Sequence, residues 1–183
     1  RIRGYNAATG EELWQCGGLT VNAIPSPVVH DGVALCMTGR RGNALVAVPL
    51  SARGDVTDTD QLAWTYDRGT PYVPSPLLYE GLVYFLAGNS AILTCLNAAD
   101  GEVVLDRQRL PDLKNVYASP VAADGRVYLT SREGVCLVIK AGAPFEVLAT
   151  NDLEEPIDAS PALVGKRIYL RGGEHLYCIA EQE

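Results

Sequence analysis

The sequence predicts an all-β protein built from repeated four-stranded antiparallel sheets. A segment that begins with Ser-Pro occurs four times, at intervals of about 41 to 49 residues: Ser26-Pro27, Ser75-Pro76, Ser119-Pro120 and Ser160-Pro161. Short apolar and alternating runs are separated by pairs such as Asp31-Gly32, which suit tight hairpin turns. No segment shows the periodicity of an amphipathic helix. Repeats of this length made of hairpins are typical of the blades of a β-propeller.

Each repeat contains two motifs in the same order. The first reads IPSPVVHDGVALCMTG, VPSPLLYEGLVYFLAG, YASPVAADGRVYLTSREG and DASPALVGKRIYLRGG, from Ile24, Val73, Tyr117 and Asp158. The second reads LVAVPL, LTCLNAADGE, CLVIKAG and LYCIAE, from Leu45, Leu93, Cys136 and Leu176. IRGYNAATGEELW, from Ile2, is the second motif without its leading half. Two motifs recurring in order indicate structurally equivalent units.

The strands of one unit follow from these motifs. Strand A is the Ser-Pro pair with the apolar residues after it. Tight turns follow at Asp31-Gly32, Glu80-Gly81, Asp124-Gly125 and Gly165-Lys166. Strand B is predicted at Val33–Met37, Leu82–Leu86, Arg126–Thr130 and Arg167–Leu170. Strand C is the second motif, and strand D contains in turn Trp14, Trp64, Leu105 and Leu148. This order predicts about 17 strands.

The repeats divide the chain into about four blades of one propeller segment. We expect residues 1–18 to end one blade, residues 19–67, 68–110 and 111–153 to be complete blades, and residues 154–183 to begin another. The polar segment Ser51–Asp60 is predicted to be a surface loop between strands C and D. Three ring closures remain open: further blades outside these residues, a homodimer that completes the ring, or pairing of the first and last strands.

The pattern SP-φφ-x-DG-x-VY, followed by LxxLxAxxGE and a tryptophan, resembles the pyrroloquinoline-quinone enzyme repeat. That repeat occurs in quinoprotein alcohol dehydrogenases, in BamB-type outer-membrane-assembly lipoproteins and in other bacterial proteins, and the resemblance covers essentially the whole chain. It implies a ring of seven or eight blades, so we expect the chain to be a fragment. It also implies that the strand D tryptophans pack between blades. Because the shared motifs are packing motifs, they predict the fold and leave the function open.

Composition narrows the function classes. The net charge is −7 and the 15 Lys and Arg residues are scattered, which argues against nucleic-acid binding. No apolar run approaches 18 residues, so no membrane span is predicted. The five cysteines form no CxxC pair for zinc. Four of them occupy positions of the repeat that are expected to pack inside the protein, namely Cys36, Cys95, Cys136 and Cys178. Only Cys16 lacks this explanation.

The sequence predicts no catalytic residue, no metal site and no cofactor. By the resemblance, a quinoprotein dehydrogenase carries two adjacent cysteines, a carboxylate metal site and a catalytic aspartate, and this chain has no adjacent cysteines. Asp58-Thr59-Asp60 is a spaced carboxylate pair in the insertion that we expect to be solvated. His30 and His175 are expected at the surface without a catalytic role. Pyrroloquinoline quinone is therefore compatible with the family but unsupported by these residues.

Candidate binding residues are those that break the repeat. In propellers the B–C and D–A loops converge on one face, so divergent residues there are free of packing constraints. This argument selects Tyr117, Asp158, Arg132 and Arg171, which we expect to face a common cavity. They suit a protein or peptide partner.

We therefore expect a non-catalytic binding scaffold, periplasmic or otherwise extracytoplasmic by the habit of the family. Two alternatives remain: part of a quinone-dependent dehydrogenase whose catalytic half lies elsewhere, or a sensor domain of a signalling protein.

Overall fold

A computed structural model of the chain describes residues 1–180, which form five consecutive sheets. The first sheet has the order β1-β2-β6 and consists of β1 (Ile2–Tyr5), β2 (Glu12–Cys16) and β6 (Gly54–Asp55). The last sheet has the order β16-β17-β18 and consists of β16 (Ala162–Val164), β17 (Arg167–Arg171) and β18 (Leu176–Ala180). Three complete four-stranded blades lie between these two sheets.

The three blades are antiparallel meanders with strands A to D in chain order. Blade 1 consists of β3 (Val28–His30), β4 (Val33–Thr38), β5 (Ala44–Pro49) and β7 (Trp64–Tyr66). Blade 2 consists of β8 (Leu77–Tyr79), β9 (Leu82–Leu86), β10 (Ile92–Asn97) and β11 (Val103–Arg109). Blade 3 consists of β12 (Val121–Ala123), β13 (Arg126–Thr130), β14 (Val135–Lys140) and β15 (Val147–Asp152). The predicted all-β propeller fold with four-stranded antiparallel blades is confirmed.

The hairpins between strands A and B use the predicted turn residues. Asp31 and Gly32 both have positive φ, at 43° and 77°, and the equivalent pairs Glu80-Gly81 and Asp124-Gly125 do the same. Two positive φ angles match the twist of a two-residue hairpin turn. The turn residues therefore determine the register of strands A and B, and two of the strand B predictions agree with the structure at both ends.

The hydrophobic cores lie between neighbouring sheets. One core joins the first sheet to blade 1, a second joins blades 1 and 2, and a third joins blades 2 and 3. Trp64 of β7 packs in the second core, where a Cβ atom on Gly101 of blade 2 would lie 2.6 Å from Trp64 Cε3. This contact confirms that the Trp64 ring packs between blades. Neighbouring blades therefore bury one another's faces, as in other repeat folds.

A ladder of serine hydrogen bonds joins the Ser-Pro segments. The Ser26 amide donates to Ser75 Oγ at 3.0 Å, and the Ser75 amide donates to Ser119 Oγ at 2.9 Å. The Ser119 amide donates to Ser160 Oγ at 2.8 Å. Each Ser-Pro segment therefore occupies the same place in its own repeat, and the hydroxyls of Ser75, Ser119 and Ser160 each accept the serine amide of the preceding repeat.

The insertion Ser51–Asp60 was predicted to be a surface loop, which is wrong in part. Gly54 and Asp55 form β6, which pairs in parallel with Trp14 and Gln15 of β2. Val56, which follows β6, is fully buried. The unpaired edge of β2 explains the difference, because its backbone groups need hydrogen-bond partners that the insertion supplies. The described residues therefore contain 18 strands.

The packing prediction for the cysteines holds for three of its four members and is wrong for Cys178. Cys36, Cys95 and Cys136 are buried, whereas Cys178 is exposed on β18 because, among residues 1–180, no further sheet covers this side of the last sheet. Cys16, for which the repeat offered no account, is buried beside the insertion.

The ring is not closed among residues 1–180. No strand of the first sheet pairs with a strand of the last sheet in this part of the chain, so the third closure considered above is not formed. The same residues contain no helix of the length and apolarity needed to cross a bilayer.

The serine ladder predicts unequal effects of two serine substitutions. Ser119→Ala removes the acceptor of the Ser75 amide, so we expect the free energy of unfolding to fall by about 1 kcal/mol. Ser26→Ala is the matched control, because the Ser26 hydroxyl accepts no amide within residues 1–180 and we expect a change within about 0.5 kcal/mol. Urea unfolding followed by tryptophan fluorescence measures both, and equal losses would contradict the ladder.

Candidate functional site

The loop face is the side of the propeller on which the B–C and D–A loops meet. The B–C loop of blade 3 lies between two D–A loops there. The Arg132 amide donates to the Asn115 carbonyl at 2.8 Å, and the Ile157 amide donates to the Arg132 carbonyl at 3.2 Å. Backbone hydrogen bonds therefore hold loops from different blades in contact.

Three of the four predicted binding residues come together on the loop face. Arg132 donates from Nε to Asp158 Oδ1 at 2.5 Å and from Nη2 to Asp158 Oδ2 at 3.3 Å. The Arg132 guanidinium lies 4.3 Å from the centroid of the Tyr117 ring. The hydrogen bond to Asp158 raises the pKa of Arg132. We call this cluster the Tyr117–Arg132–Asp158 stack.

The stack is exposed at the surface. The Tyr117 side chain is 36% exposed, and Arg132 and Asp158 are also exposed. Each residue comes from a separate loop: the D–A loop before blade 3, the B–C loop of blade 3 and the D–A loop before the last sheet. The stack therefore bridges blade 3 and the last sheet.

Arg171 does not join this cluster. It ends β17 and is exposed, and no hydrogen bond or ion pair among residues 1–180 connects it to the other three residues. The predicted grouping is therefore observed for Tyr117, Arg132 and Asp158 only. Binding of a ligand by these four residues stays a prediction.

A cavity of about 380 Å³ lies between the first sheet and blade 1. Its lining includes Cys16, Asn43, Asp58, Tyr66 and Asp67. Burial raises the pKa of the Cys16 thiol, which donates a hydrogen bond to the Gly17 carbonyl at 3.3 Å. A thiol in this state is a poor nucleophile because the reactive form is the thiolate.

The sequence alone did not reveal a buried carboxylate at the junction with the last sheet. Glu155 is 8% exposed and accepts hydrogen bonds from the Tyr177 hydroxyl and from the backbone amides of Glu174 and His175. His175 Nδ1 lies 3.1 Å from Glu155 Oε2. Glu155 therefore attaches the D–A loop to the last sheet.

The hydrogen bond from Tyr177 is the main cause that lowers the pKa of Glu155 to about 2, and the backbone amides add to the shift. His175 has an exposed side chain, as predicted, but it is also a partner of this carboxylate. The segment DLEEPID gives no signal of this contact, because the contact depends on how the last sheet is placed.

The residues present do not fit the quinone or metal sites implied by the resemblance. Within residues 1–180 no group of three or more His, Cys, Asp or Glu side chains is placed to hold a metal ion. The five cysteines are separate thiols. No step of quinone chemistry is therefore assigned to these residues.

The fold and the repeat define the class of the protein as a β-propeller made of pyrroloquinoline-quinone-type repeats. The chain belongs to the family described as outer membrane protein assembly factor BamB, whose model matches residues 1–183. No curated protein matches the chain.

Solved structures agree on the fold. The computationally designed Ika8 protein is 12% identical with a TM-score of 0.72, and the match covers 96% of this chain and 51% of Ika8. The designed Ika4 protein is 12% identical with a TM-score of 0.71, over 94% of this chain and 99% of Ika4. Glutaminyl cyclase from Myxococcus xanthus is 12% identical with a TM-score of 0.55, over 92% of this chain and 73% of the cyclase. The chain thus spans about half the length of Ika8. At this identity these matches show the fold alone.

The pKa of Glu155 predicts a pH-dependent contribution to stability. A carboxylate whose folded pKa lies below its unfolded value of 4.5 stabilises the fold above that value, and the contribution is lost as the pH falls towards 2. We expect Glu155→Gln to lower the unfolding free energy at pH 7, and the difference from the unchanged protein to shrink between pH 5 and pH 3.

Urea unfolding at pH 7, 5 and 3 measures this difference. Glu154→Gln is the control, since the neighbouring Glu154 side chain is exposed and accepts no hydrogen bond within residues 1–180. A loss in Glu155→Gln of the same size at pH 7 and pH 3 would argue against the assigned role of the carboxylate.

Proposed function

We propose that the chain is a non-catalytic scaffold that binds a protein or peptide partner through its loop face. The observation that carries the proposal is the Tyr117–Arg132–Asp158 stack. Its residues lie at positions where the repeat diverges, so blade packing does not explain them. Tyrosine and arginine are also enriched among residues that dominate protein interfaces.

The geometry of the stack suits an interface. The carboxylate of Asp158 holds the Arg132 guanidinium in one orientation, so that the guanidinium plane offers a contact surface for a partner. The same carboxylate neutralises most of the charge of Arg132. The exposed edge of Tyr117 offers an apolar surface with a hydroxyl. A partner therefore meets an ordered aromatic and cationic surface, and little side-chain freedom remains to be lost on binding.

Membership of the family supports two parts of this proposal, the kind of partner and the cellular compartment. Its description names outer membrane protein assembly, a process that depends on contacts between proteins. We propose an extracytoplasmic location on the same ground. Free thiols argue mildly against an oxidising compartment, but four of the five cysteines are buried and therefore poorly accessible to oxidants.

The end sheets support the proposal that further blades complete the ring. Leu176 of the last sheet is 72% exposed, although its repeat position is a core position in blade 2. The division into blades at residues 19–67, 68–110 and 111–153 and the homodimer that completes the ring stay predictions.

Photocrosslinking tests the proposed partner site. With p-benzoylphenylalanine in place of Tyr117, we expect a crosslinked protein partner in bacterial cells. The same reagent in place of Tyr5, which is exposed on β1, should give none.

We expect Arg132→Ala and Asp158→Ala each to weaken the affinity for the purified partner about fivefold to tenfold.

The melting temperature controls for folding in the same variants. It should change little, since exposed ion pairs contribute about 0 to 1 kcal/mol. Unchanged affinity in both variants would remove the stack from the interface. A rise in the melting temperature with pyrroloquinoline quinone and calcium would favour the dehydrogenase alternative over a scaffold.

A further inference from the structure

Three arginine side chains lie on or beside one loop of the loop face, the D–A loop that leaves blade 1. The Arg40 guanidinium lies 4.9 Å from the centroid of the Tyr72 ring, and the Arg68 guanidinium lies 5.5 Å from that of Tyr66. Arg107 of β11 reaches the same loop, because a Cβ atom on Gly69 would lie 3.8 Å from Arg107 Nε. We call Arg40, Arg68 and Arg107 the basic patch.

Within residues 1–180 the three arginines of the basic patch form no ion pair with an acidic side chain. Arg132, in contrast, is paired with Asp158 on the same face. The chain has a net charge of −7, so three neighbouring arginines without ion-pair partners are unexpected. Positive charge is therefore concentrated at this part of the surface rather than interspersed with negative charge.

The loops that carry the patch are joined by buried hydrogen bonds. Thr70 is fully buried, and its hydroxyl donates to the Thr38 carbonyl at 2.6 Å and accepts the Ala44 amide at 3.1 Å. The Thr70 amide donates to Asn43 Oδ1 at 3.1 Å. A Cβ atom on Gly39 would lie 2.0 Å from the Thr70 carbonyl oxygen, so the two loops are in close contact. The backbone beneath Arg40 and Arg68 is therefore organised before any ligand arrives, which lowers the entropic cost of binding.

Tyrosine rings lie against two of the three arginines, Arg40 and Arg68. A guanidinium that stacks on an aromatic face keeps its N–H groups directed sideways, where a carboxylate accepts two of them in parallel. Tyr72 is held in turn, since its hydroxyl accepts a hydrogen bond from Asn22 Nδ2 at 2.8 Å. The patch thus offers oriented, unpaired donors for carboxylate groups.

We propose that the basic patch binds a carboxylate-rich peptide segment of the partner, with Arg40, Arg68 and Arg107 as its contacts. This inference rests on the proposed function, because it gives the chemistry of the partner that the loop face takes. A nucleic acid would also match arginine and tyrosine, but it extends beyond a small patch. A short peptide contacts only the patch, whereas an extended phosphate backbone would also contact the rest of a chain whose net charge is −7.

Fluorescence anisotropy with the full chain and a fluorescein-labelled peptide of alternating glutamate and glycine tests the proposal. We expect saturable binding at 50 mM NaCl that weakens at 300 mM NaCl, because the contacts are exposed charges. The double variant Arg40→Gln with Arg68→Gln should bind at least about tenfold more weakly. The matched control, Arg3→Gln with Arg167→Gln, removes the same charge from exposed arginines away from the patch and should bind within about twofold of the unchanged chain.

Three results would overturn the proposal. They are no binding by the unchanged chain, an equal loss in the control variant, and equally tight binding of a ten-residue thymidine oligonucleotide.

Arg132→Ala separates this inference from the proposed function: its effect on the glutamate peptide should be small, since Asp158 already neutralises Arg132. Peptide binding lost with Arg40 and Arg68 while position 117 yields no crosslink would support the patch and remove the stack. A crosslink at position 117 without peptide binding would do the reverse.

Discussion

Every blade of this protein depends on the neighbouring sheet that covers its face. Leu93 of blade 2 and Leu176 of the last sheet occupy the same position of the repeat, yet Leu93 is fully buried and Leu176 is 72% exposed. Cys95 and Cys178 show the same contrast between burial and exposure. The side chains are alike, so the difference lies in the presence of a following blade. Burial in this fold is therefore a property of the junction between sheets, as expected for a stack of repeats.

Polar contacts accompany this apolar stacking and determine how neighbouring blades align. The serine ladder joins the Ser-Pro segments along the chain, and the Tyr84 hydroxyl of blade 2 accepts the Gly142 amide of blade 3 at 2.8 Å. Hydrophobic stacking tolerates sliding, but hydrogen bonds between defined atoms do not. These bonds therefore give each junction its alignment.

The sequence was sufficient for the features that each repeat determines locally. Turn pairs such as Asp124-Gly125 tolerate the positive φ that a two-residue hairpin turn needs, so the strands beside them could be placed closely. β6 could not be predicted, because Gly54 and Asp55 pair with an edge strand far away in the chain. Glu155 could not be predicted either, since its partners belong to the next sheet. Turns and strands can be predicted from residues that are close in the chain, whereas contacts between repeats can be predicted only when the arrangement of all the sheets is known.

The same limit explains the outcome at the candidate site. Divergence from the repeat selected four exposed residues, and three of them, Tyr117, Arg132 and Asp158, do meet. The basic patch escaped notice because its arginines are scattered along the chain, and only the fold brings Arg40, Arg68 and Arg107 to one loop.

The loop face consequently carries unpaired cations beside blade 1 and acidic residues before the last sheet. Opposite charges at the two ends of one face would favour a single orientation of the proposed partner, since the reverse orientation would place like charges together. Rigid blades maintain that separation, so the loops can diverge without loss of the fold. The repeat positions that pack between blades and the positions on the loop face are thus separate parts of each repeat.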